Sequence, residues 1–250
     1  MIRIRWFEER GPWIAGMTGR EDGDFQYHPG GENDARTRLE RAGIPADRLI
    51  RVLQVHGTDL WCLPEGSLWT GDPPAGSPEP LFHSTNHAAD PRPRADALAC
   101  AGEYWTLGIS VADCLPVWVG DPEVSCVALV HAGRRGSLAG IAERTVRALM
   151  ARYGADSGRM VAAIGPGAGP CCYEISPDMA SMLRAAGHPV SGRKLDLPEV
   201  VRRSLIRSGI GPDRIYVSRI CTICSGHFFS YRRGDRHARN LAVTALLRAR

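Results

Sequence analysis

The segment YWTLGISVADCLPVWVGDPEVSCVALVHAG, residues 104–133, is the part of the chain that decides the fold class. It contains three apolar runs, Tyr104–Val111, Pro116–Gly120 and Val124–His131, separated by short polar or turn-forming stretches. Runs of this length that are rich in valine, leucine and isoleucine predict buried β-strands. We therefore expect three closely spaced core strands at the centre of the fold.

Strands and helices are predicted to interleave on both sides of this segment. The predicted strands cover Ile2–Phe7, Trp13–Thr18, Leu49–Val55, Met160–Gly165 and Arg214–Val217, and the predicted helices cover Asp34–Ala42, Ser137–Tyr153, Pro177–Ala186, Leu197–Ser208 and a C-terminal segment from about Asp235. No strand–helix–strand unit repeats with a fixed period. The pattern predicts a mixed α/β (α+β) fold and no finer class.

A proline-rich stretch, Gly66–Arg94, interrupts this pattern. Its prolines, glycines and serines predict a long surface excursion, which could be a linker between domains. We interpret it as an insertion within a single domain covering residues 1–250, because candidate site residues lie on both sides of it. His83 and His87 would share a face only on a helix, so we expect surface histidines there rather than metal ligands.

The composition is that of an ordinary globular protein, with 44% hydrophobic and 23% charged residues among 250. The formal net charge of +4 suits an anionic small molecule as well as nucleic acid. Without a basic stripe interleaved with aromatic residues, we do not expect nucleic-acid binding. No membrane-length apolar run or signal-peptide core is present, so we expect a cytoplasmic protein without membrane attachment, whose eight cysteines are reduced.

Three motifs end predicted strands with a side chain that can bind a metal, and these side chains are His56, Cys114 and His131. Two imidazoles and one thiolate suit zinc, and three protein ligands leave the fourth tetrahedral position open, as in catalytic sites. A thiolate with histidines also favours zinc over magnesium or calcium. The spacing alone does not show that the three converge, so a buried thiol and satisfied core histidines remain the alternative.

The residues after His131 predict an anion site. His131-Ala-Gly-Arg-Arg-Gly-Ser137 is typical of a strand, a tight turn and a helix start with Ser137 as N-cap. A helix N-terminus beside Arg135 can bind an oxyanion. The alternative is a glycine turn flanked by two solvated arginines.

Four further cysteines lie in two pairs, Cys171-Cys172 and Cys221-Thr-Ile-Cys224. A CxxC motif can be half of a zinc site or a redox pair. Because adjacent cysteines seldom chelate one tetrahedral ion, we expect packing residues instead. The glycine- and proline-rich loop before Cys171 suits a flat ligand but lacks the ending of a phosphate-binding P-loop.

Taken in order, the motifs resemble one known family. They are Gln54-Val55-His56-Gly57, Ala95-Asp96-Ala97-Leu98, Ala112-Asp113-Cys114-Leu115-Pro116-Val117, His131-Ala132-Gly133, Arg135-Gly136, Ile164-Gly165-Pro166, Gly169-Pro170-Cys171-Cys172-Tyr173-Glu174 and Phe228-Phe229-Ser230-Tyr231-Arg232. This set is similar to the laccase-domain (YfiH-type) family, also labelled polyphenol oxidase-like, peptidoglycan editing factor or purine nucleoside phosphorylase. The resemblance covers nearly the whole chain.

The resemblance implies a single domain in which mixed β-sheets form a sandwich flanked by helices. It also implies a zinc site at His56, Cys114 and His131, phosphorolysis of adenosine, inosine and methylthioadenosine, and adenosine deamination. Two alternatives stay open within the family, a hydrolase that edits peptidoglycan precursors and a copper-dependent polyphenol oxidase. Copper fits less well, because few histidines remain for further copper ligands.

As a mechanistic hypothesis, zinc activates water or positions phosphate, while Arg135 and the helix start at Ser137 hold the phosphate. Asp113, next to the cysteine ligand, either orients a ligand or transfers a proton, or only caps its loop. Tyr231 and Arg232 are candidate substrate contacts. The expected partners are a purine nucleoside and phosphate, and the sequence predicts no oligomeric state.

The chain departs from the family pattern at three places. Arg134 replaces the usual tryptophan of the His-Ala-Gly-Trp-Arg motif, Gly167 replaces a cysteine, and Ala35-Arg36 stands where an Asn-Arg pair is usual. Loss of the aromatic side chain at position 134 is expected to change how a base or sugar is held. The candidate metal ligands are unaffected by these changes.

Overall fold

The computed structural model describes residues 1–28, 31–63, 67–69, 92–102 and 105–247. Within these ranges the strands are β1 (Ile2–Arg3), β2 (Trp13–Met17), β3 (Leu49–Arg51), β4 (Leu60–Leu63), β5 (Ser67–Trp69), β6 (Ala97–Ala101), β7 (Thr106–Val111), β8 (Leu115–Asp121), β9 (Cys126–Ala132), β10 (Val161–Ile164), β11 (Val190–Ser191), β12 (Lys194–Leu195), β13 (Ile215–Val217) and β14 (Asn240–Leu246). The α-helices are α1 (Arg5–Glu8), α2 (Glu32–Arg41), α3 (Arg134–Leu138), α4 (Ile141–Tyr153), α5 (Pro177–Ala185) and α6 (Leu197–Arg207). None of the helices in the described ranges is long and apolar enough to cross a bilayer.

Two mixed sheets carry the architecture. The first has the strand order β1-β2-β14-β7-β3 and the second the order β13-β10-β8-β9-β6-β4-β5, while β11 and β12 form a separate hairpin. Most neighbouring strands are antiparallel, but β3 with β7, β4 with β6 and β10 with β13 are parallel. The three predicted core strands are β7, β8 and β9, and β7 joins a different sheet from the other two.

The two sheets pack face to face, and strand β8 shows how both faces of the second sheet become buried. Trp118 points into the core between the sheets, where its indole N–H donates to the carbonyl oxygen of Val243 at 3.0 Å. Val117 and Val119 point to the other face and pack in a core with helices α4, α5 and α6. Because successive side chains of a strand alternate between faces, a run buried on both sides is apolar throughout.

Helix α2 covers the outer face of the first sheet, where Leu39 packs with Leu241 and Val243. The result is four layers, helix–sheet–sheet–helix, so the predicted mixed α+β domain with a sheet sandwich flanked by helices is confirmed. The boundaries of the domain stay a prediction. So does the proposed insertion, because most of Gly66–Arg94, including His83 and His87, lies outside the described residues.

The predicted C-terminal helix from about Asp235 is wrong, because Asn240–Leu246 forms the central strand of the first sheet. The alanine- and leucine-rich sequence favours a helix locally, but every residue of β14 is buried between β2 and β7. The β-branched pair Val243 and Thr244 suits such a position. Tertiary packing therefore overrides the local helical propensity.

Two further predicted elements are divided in the structure. The predicted strand Ile2–Phe7 ends at Arg3 and continues as helix α1. The predicted helix Ser137–Tyr153 is two helices, because Gly140 adopts a left-handed φ of 83° between them. Helix α3 already begins at Arg134, with Gly133 as N-cap, so the expectation that Ser137 caps the helix is wrong.

Candidate metal centre and cleft

His56, Cys114 and His131 come together although 75 residues of sequence separate the first from the last. His56 lies in the loop after β3, Cys114 lies in the turn from β7 to β8, and His131 is near the end of β9. One possible ligand atom from each lies within 4.8 Å of the others, and the two imidazole rings meet edge to face with centroids 4.8 Å apart. The convergence that spacing could not show is therefore present, and these three residues can hold a metal ion.

Asp96 is the residue that organises two of these ligands. Its carboxylate contacts Nδ1 of His131 at 2.8 Å and accepts the backbone N–H groups of His56 at 2.9 Å and Gly57 at 2.6 Å. With Nδ1 engaged, Nε2 of His131 is the nitrogen left for a metal, the arrangement typical of metal-binding histidines. Sequence analysis quoted Asp96 within a motif but assigned it no role. Its signal was a lone carboxylate near the start of the apolar run from Ala95 to Ala101, a run that was not predicted to be a strand.

Electrostatics favour the ionised form of the cysteine. Burial raises the pKa of Cys114, but the charge of His131 and the hydrogen bonds from His131 and His56 together outweigh it and lower the pKa of the thiol to about 6. Burial lowers the pKa of His131, yet the charges of Cys114 and Asp96 raise it overall. Burial raises the pKa of Asp96, but the hydrogen bond and charge of His131 and the N–H groups of Gly57 and His56 together lower it below its ordinary value. The thiolate is the form that binds metals.

Backbone conformation brings the ligands close. His56 and Asp113 adopt left-handed φ angles of 61° and 82°, which are uncommon for non-glycine residues. Gly133 lies against the ligands, since a Cβ there would be 3.1 Å from both Cys114 Sγ and His56 Cδ2. Glycine at position 133 is therefore favoured by close packing rather than by its own φ of −73°.

Asp113 holds its surroundings in place. One carboxylate oxygen accepts the hydroxyl of Thr222 and the other accepts the backbone N–H of Arg232, both at 2.7 Å. Its carbonyl oxygen accepts the N–H of Ala168 at 2.7 Å. With both carboxylate oxygens engaged, Asp113 connects the turn that carries Cys114 to two other loops.

The three candidate ligands line a cleft of about 710 Å³, a size suited to a nucleoside-sized ligand. Its lining combines cations with aromatic side chains, namely Arg92, Arg134, Arg135, Arg232, Arg239, Tyr27, Tyr173 and Tyr231. Among the lining residues that the structure describes, Asp113 is the one acidic side chain, and both of its carboxylate oxygens are already hydrogen-bonded. The cleft is therefore electropositive and presents flat faces, which suits an anion together with an aromatic base.

Most of the predicted contact residues reach this cleft. Arg135, Tyr231 and Arg232 line it, and the Arg232 guanidinium lies 5.0 Å from the centre of the Tyr173 ring. Arg134, the departure from the family pattern, lines it as well. Ser137 does not, because it is buried within α3 and borders a separate, smaller cavity.

Gln54 is a second residue whose role sequence analysis did not find. Its side-chain amide donates to the carbonyl oxygen of Ser110 at 2.7 Å and accepts the Ser110 N–H at 2.9 Å. This double hydrogen bond attaches the loop that carries His56 to strand β7. The signal was its position two residues before His56, but an amide there predicts no particular partner.

Comparison with known proteins gives a consistent result. Residues 28–246 match the sequence family described as multi-copper polyphenol oxidoreductase laccase. Purine nucleoside phosphorylase YlmD of Geobacillus stearothermophilus is 30% identical over 237 residues, which cover 90% of this chain and 81% of the relative. Purine nucleoside phosphorylase SCO2081 of Streptomyces coelicolor is 35% identical over 206 residues, which cover 80% of this chain and 75% of the relative.

The chain is also similar to a relative over a shorter stretch and to a protein of known crystal structure. Adenosine deaminase RL5 of an unknown prokaryotic organism is 32% identical over 149 residues, which cover 55% of this chain and 56% of the relative. The crystal structure of YlmD from Geobacillus stearothermophilus superposes with a TM-score of 0.75 at 28% identity, covering 96% of this chain and 93% of that one. The fold described above is thus that of solved relatives.

Proposed function

Since this chain belongs to the multi-copper polyphenol oxidoreductase laccase family, we propose that it is a zinc-dependent enzyme that cleaves purine nucleosides with phosphate. The proposed substrates are adenosine, inosine and methylthioadenosine. The observation that carries the proposal is the convergence of His56, Cys114 and His131 in an electropositive cleft with aromatic side chains. Relatives named purine nucleoside phosphorylase support the same reaction class.

The donor set fits zinc. Two imidazoles and a thiolate form a catalytic-type ligand set with one open position, and the Asp96 carboxylate holds His131 as zinc-binding histidines are commonly held. When bound, zinc supplies a Lewis acid that stabilises negative charge developing on a nearby oxygen. The family description mentions copper, and metal analysis decides between the two ions.

In phosphorolysis, a phosphate oxygen forms a bond to ribose C1′ while the bond from C1′ to the purine nitrogen breaks. The purine leaves with the bonding electrons and takes up a proton. We assign phosphate binding to Arg135 together with Arg134, whose guanidinium groups can each make bidentate contacts to an oxyanion. Ser137, which borders the other cavity, has no part in this assignment.

The purine and ribose are assigned to the aromatic side of the cleft. Tyr231 is 46% exposed and Tyr173 also lines the cleft, so both offer ring faces for stacking. Arg232, placed over Tyr173, contacts the substrate from the same side. Asp113 acts as a positioning residue, because its carboxylate fixes the backbone of Arg232.

Adenosine deamination is a second candidate reaction, favoured by the relative named adenosine deaminase RL5. It uses water in place of phosphate and releases ammonia from the purine. The two reactions differ in phosphate dependence, so one preparation assayed with and without phosphate separates them.

The test measures metal content and adenosine turnover in the wild type, in Cys114→Ala and in Cys126→Ala. Cys126 is a matched control, because it is a buried cysteine on the same strand as His131 but packs in the core. We expect zinc and phosphate-dependent adenine release in the wild type and the control, and loss of both the ion at this site and adenine release in Cys114→Ala. A metal content of Cys114→Ala equal to that of the wild type contradicts the proposal. Adenine release by that variant at the wild-type rate contradicts it as well.

A further inference from the structure

We propose that Cys171, Cys172, Cys221 and Cys224 bind a second, structural zinc ion. The four sulfur atoms lie within 4.8 Å of one another. Sequence analysis favoured packing roles, but only Cys221 is buried, and Cys171 and Cys224 are exposed. The inference is independent of the proposed reaction, because none of these cysteines is among the candidate ligands of the first site.

The separations match a tetrahedral metal–sulfur site. Four sulfurs at the usual zinc–sulfur bond length lie about 3.8 Å from one another at the corners of a tetrahedron. Cys171 Sγ and Cys224 Sγ are 3.8 Å apart, and no separation in the group exceeds the ideal by more than about 1 Å. Small rotations of the exposed side chains are therefore enough to close the cluster around one ion.

The backbone brings the two cysteine pairs together. The loop after β10 and the loop after β13 are joined by a parallel bridge between Gly167 and Cys221. Gly167 donates its N–H to the carbonyl of Ile220 at 3.3 Å, and Thr222 donates to the carbonyl of Gly167 at 3.0 Å. The pairing holds the CxxC turn against the Cys171-Cys172 turn, so the ligand set does not depend on the metal to assemble. Adjacent cysteines seldom share an ion, but here the sulfur atoms of both Cys171 and Cys172 lie within 4.8 Å of those of the CxxC turn.

A backbone N–H group contacts one sulfur of the cluster. The Cys221 sulfur accepts the N–H of Gly169 at 3.3 Å. Hydrogen bonds of this kind, from backbone N–H groups to an ionised ligand, are typical outer contacts of metal sites.

Two cations lie beside the cluster. The ammonium group of Lys194, which is the only lysine in the sequence, donates to the carbonyl of Cys171. The Arg233 guanidinium donates to the carbonyls of Thr222 and Ile223 at 3.1 and 3.3 Å, inside the CxxC turn. A zinc ion with four thiolates has a net charge of −2, and these two cations offset it.

The structural consequence of such an ion is to hold the turn that supports the first site. Thr222, between the two cysteines of the CxxC motif, donates its hydroxyl to Asp113 at 2.7 Å. Asp113 precedes Cys114 in the sequence. The second ion would therefore stabilise the turn that presents the first site's thiolate, without touching the substrate.

The first experiment counts zinc per chain in protein purified under reducing conditions. We expect about two ions in the wild type and in the buried-cysteine control Cys126→Ala, and about one in Cys171→Ser and Cys224→Ser. Cys114→Ala keeps about one, and cobalt bound to that variant shows the intense visible absorption of a tetrahedral thiolate site. Absence of any metal from Cys114→Ala after zinc reconstitution overturns the inference. Because loss of the first site leaves this readout intact, the two proposals fail separately.

A second measurement needs no variant. In the zinc-loaded wild type under reducing conditions, Cys171 and Cys224 resist alkylation despite their exposure, and they react at least tenfold faster after chelation. Mass spectrometry identifies the modified residues. Rapid alkylation before chelation overturns the inference. A protein mass two daltons below that of the fully reduced chain would show a Cys171–Cys224 disulfide in place of the ion, and it also overturns the inference.

Discussion

Replacement of Asp96 by asparagine tests the organisation of the metal centre most directly. The carboxylate has four contacts: Oδ1 contacts His131 Nδ1 and the N–H of His56, and Oδ2 accepts the N–H groups of Gly57 and Val55, the last at 3.2 Å. In asparagine one of the two oxygens becomes an NH₂ group. Whichever way the amide turns, two of the four donors then face another donor.

The magnitude follows from these contacts. A hydrogen bond to a charged group is worth about 1.5–3 kcal/mol, so losing two lowers the free energy of unfolding by roughly 3–6 kcal/mol. The effect on the metal is smaller, because the ligand atoms themselves remain. Loss of an outer contact to a ligating histidine typically weakens metal binding about 10–100-fold, which corresponds to about 1.4–2.7 kcal/mol.

The assay is competition for zinc against a chromophoric chelator, with urea unfolding of the metal-free protein in parallel. Asp59→Asn is the matched control, because Asp59 lies close to Asp96 in the fold and its carboxylate is as far as 3.8 Å from the Arg144 guanidinium. We expect that control to change zinc affinity less than twofold. Wild-type zinc affinity at the Cys114 site in Asp96→Asn would refute the assignment of Asp96 as the residue that orients His131.

Three other perturbations have defined outcomes. Gly133→Ala places a methyl group 3.1 Å from Cys114 Sγ. Zinc affinity at the Cys114 site should therefore fall at least tenfold, while the free energy of unfolding of the metal-free protein, measured in urea, changes little. Wild-type zinc affinity in this variant contradicts the packing argument. Arg135→Gln should raise KM for phosphate about tenfold and leave KM for the nucleoside unchanged, as steady-state kinetics would show; an effect on the nucleoside alone contradicts the phosphate assignment. Burial raises the pKa of Asp121, but the N–H of Asp156 and the Arg159 guanidinium lower it below its ordinary value. The ionised Asp121 therefore contributes to the free energy of unfolding at neutral pH, and this contribution is lost as pH falls below about 4. The free energy of unfolding of Asp121→Asn should therefore lie further below that of the wild type at pH 7 than at pH 3.5, as urea titrations would measure. An equal difference at the two pH values would exclude this linkage.

The parts of the fold that sequence predicts well are those whose environment is uniform. Strands β8 and β9 are buried on both faces, so their apolar runs marked them to within two residues at each end. Strand β14 was missed because its local sequence favours a helix, while its position between β2 and β7 depends on residues far away in the sequence. Helix α4 was predicted with the right end, but its start was not, since the left-handed turn at Gly140 has no strong local signal.

For the site, sequence identified residue types but not the contacts between them. The three metal-competent side chains were found because each ends an apolar run. The role of Asp96 was not found, because its contact with His131 spans 35 positions and has no local pattern. The proximity of the four cysteines was not predicted for a similar reason, because the bridge between Gly167 and Cys221 that brings the two pairs together forms only in the folded chain.

The position of β14 constrains the order in which the chain can fold. This strand separates β2 from β7 at the middle of the first sheet, and Thr244 donates to the carbonyl of Ile14 across 230 positions. During synthesis, β2 emerges early, and the backbone N–H and C=O groups on one of its edges stay unpaired until residues 240–246 leave the ribosome. Closing so long a loop is slow, and an apolar strand with a free edge is prone to pair with other chains meanwhile. We therefore expect the second sheet, whose pairings are more local, to form first and the first sheet to be completed last.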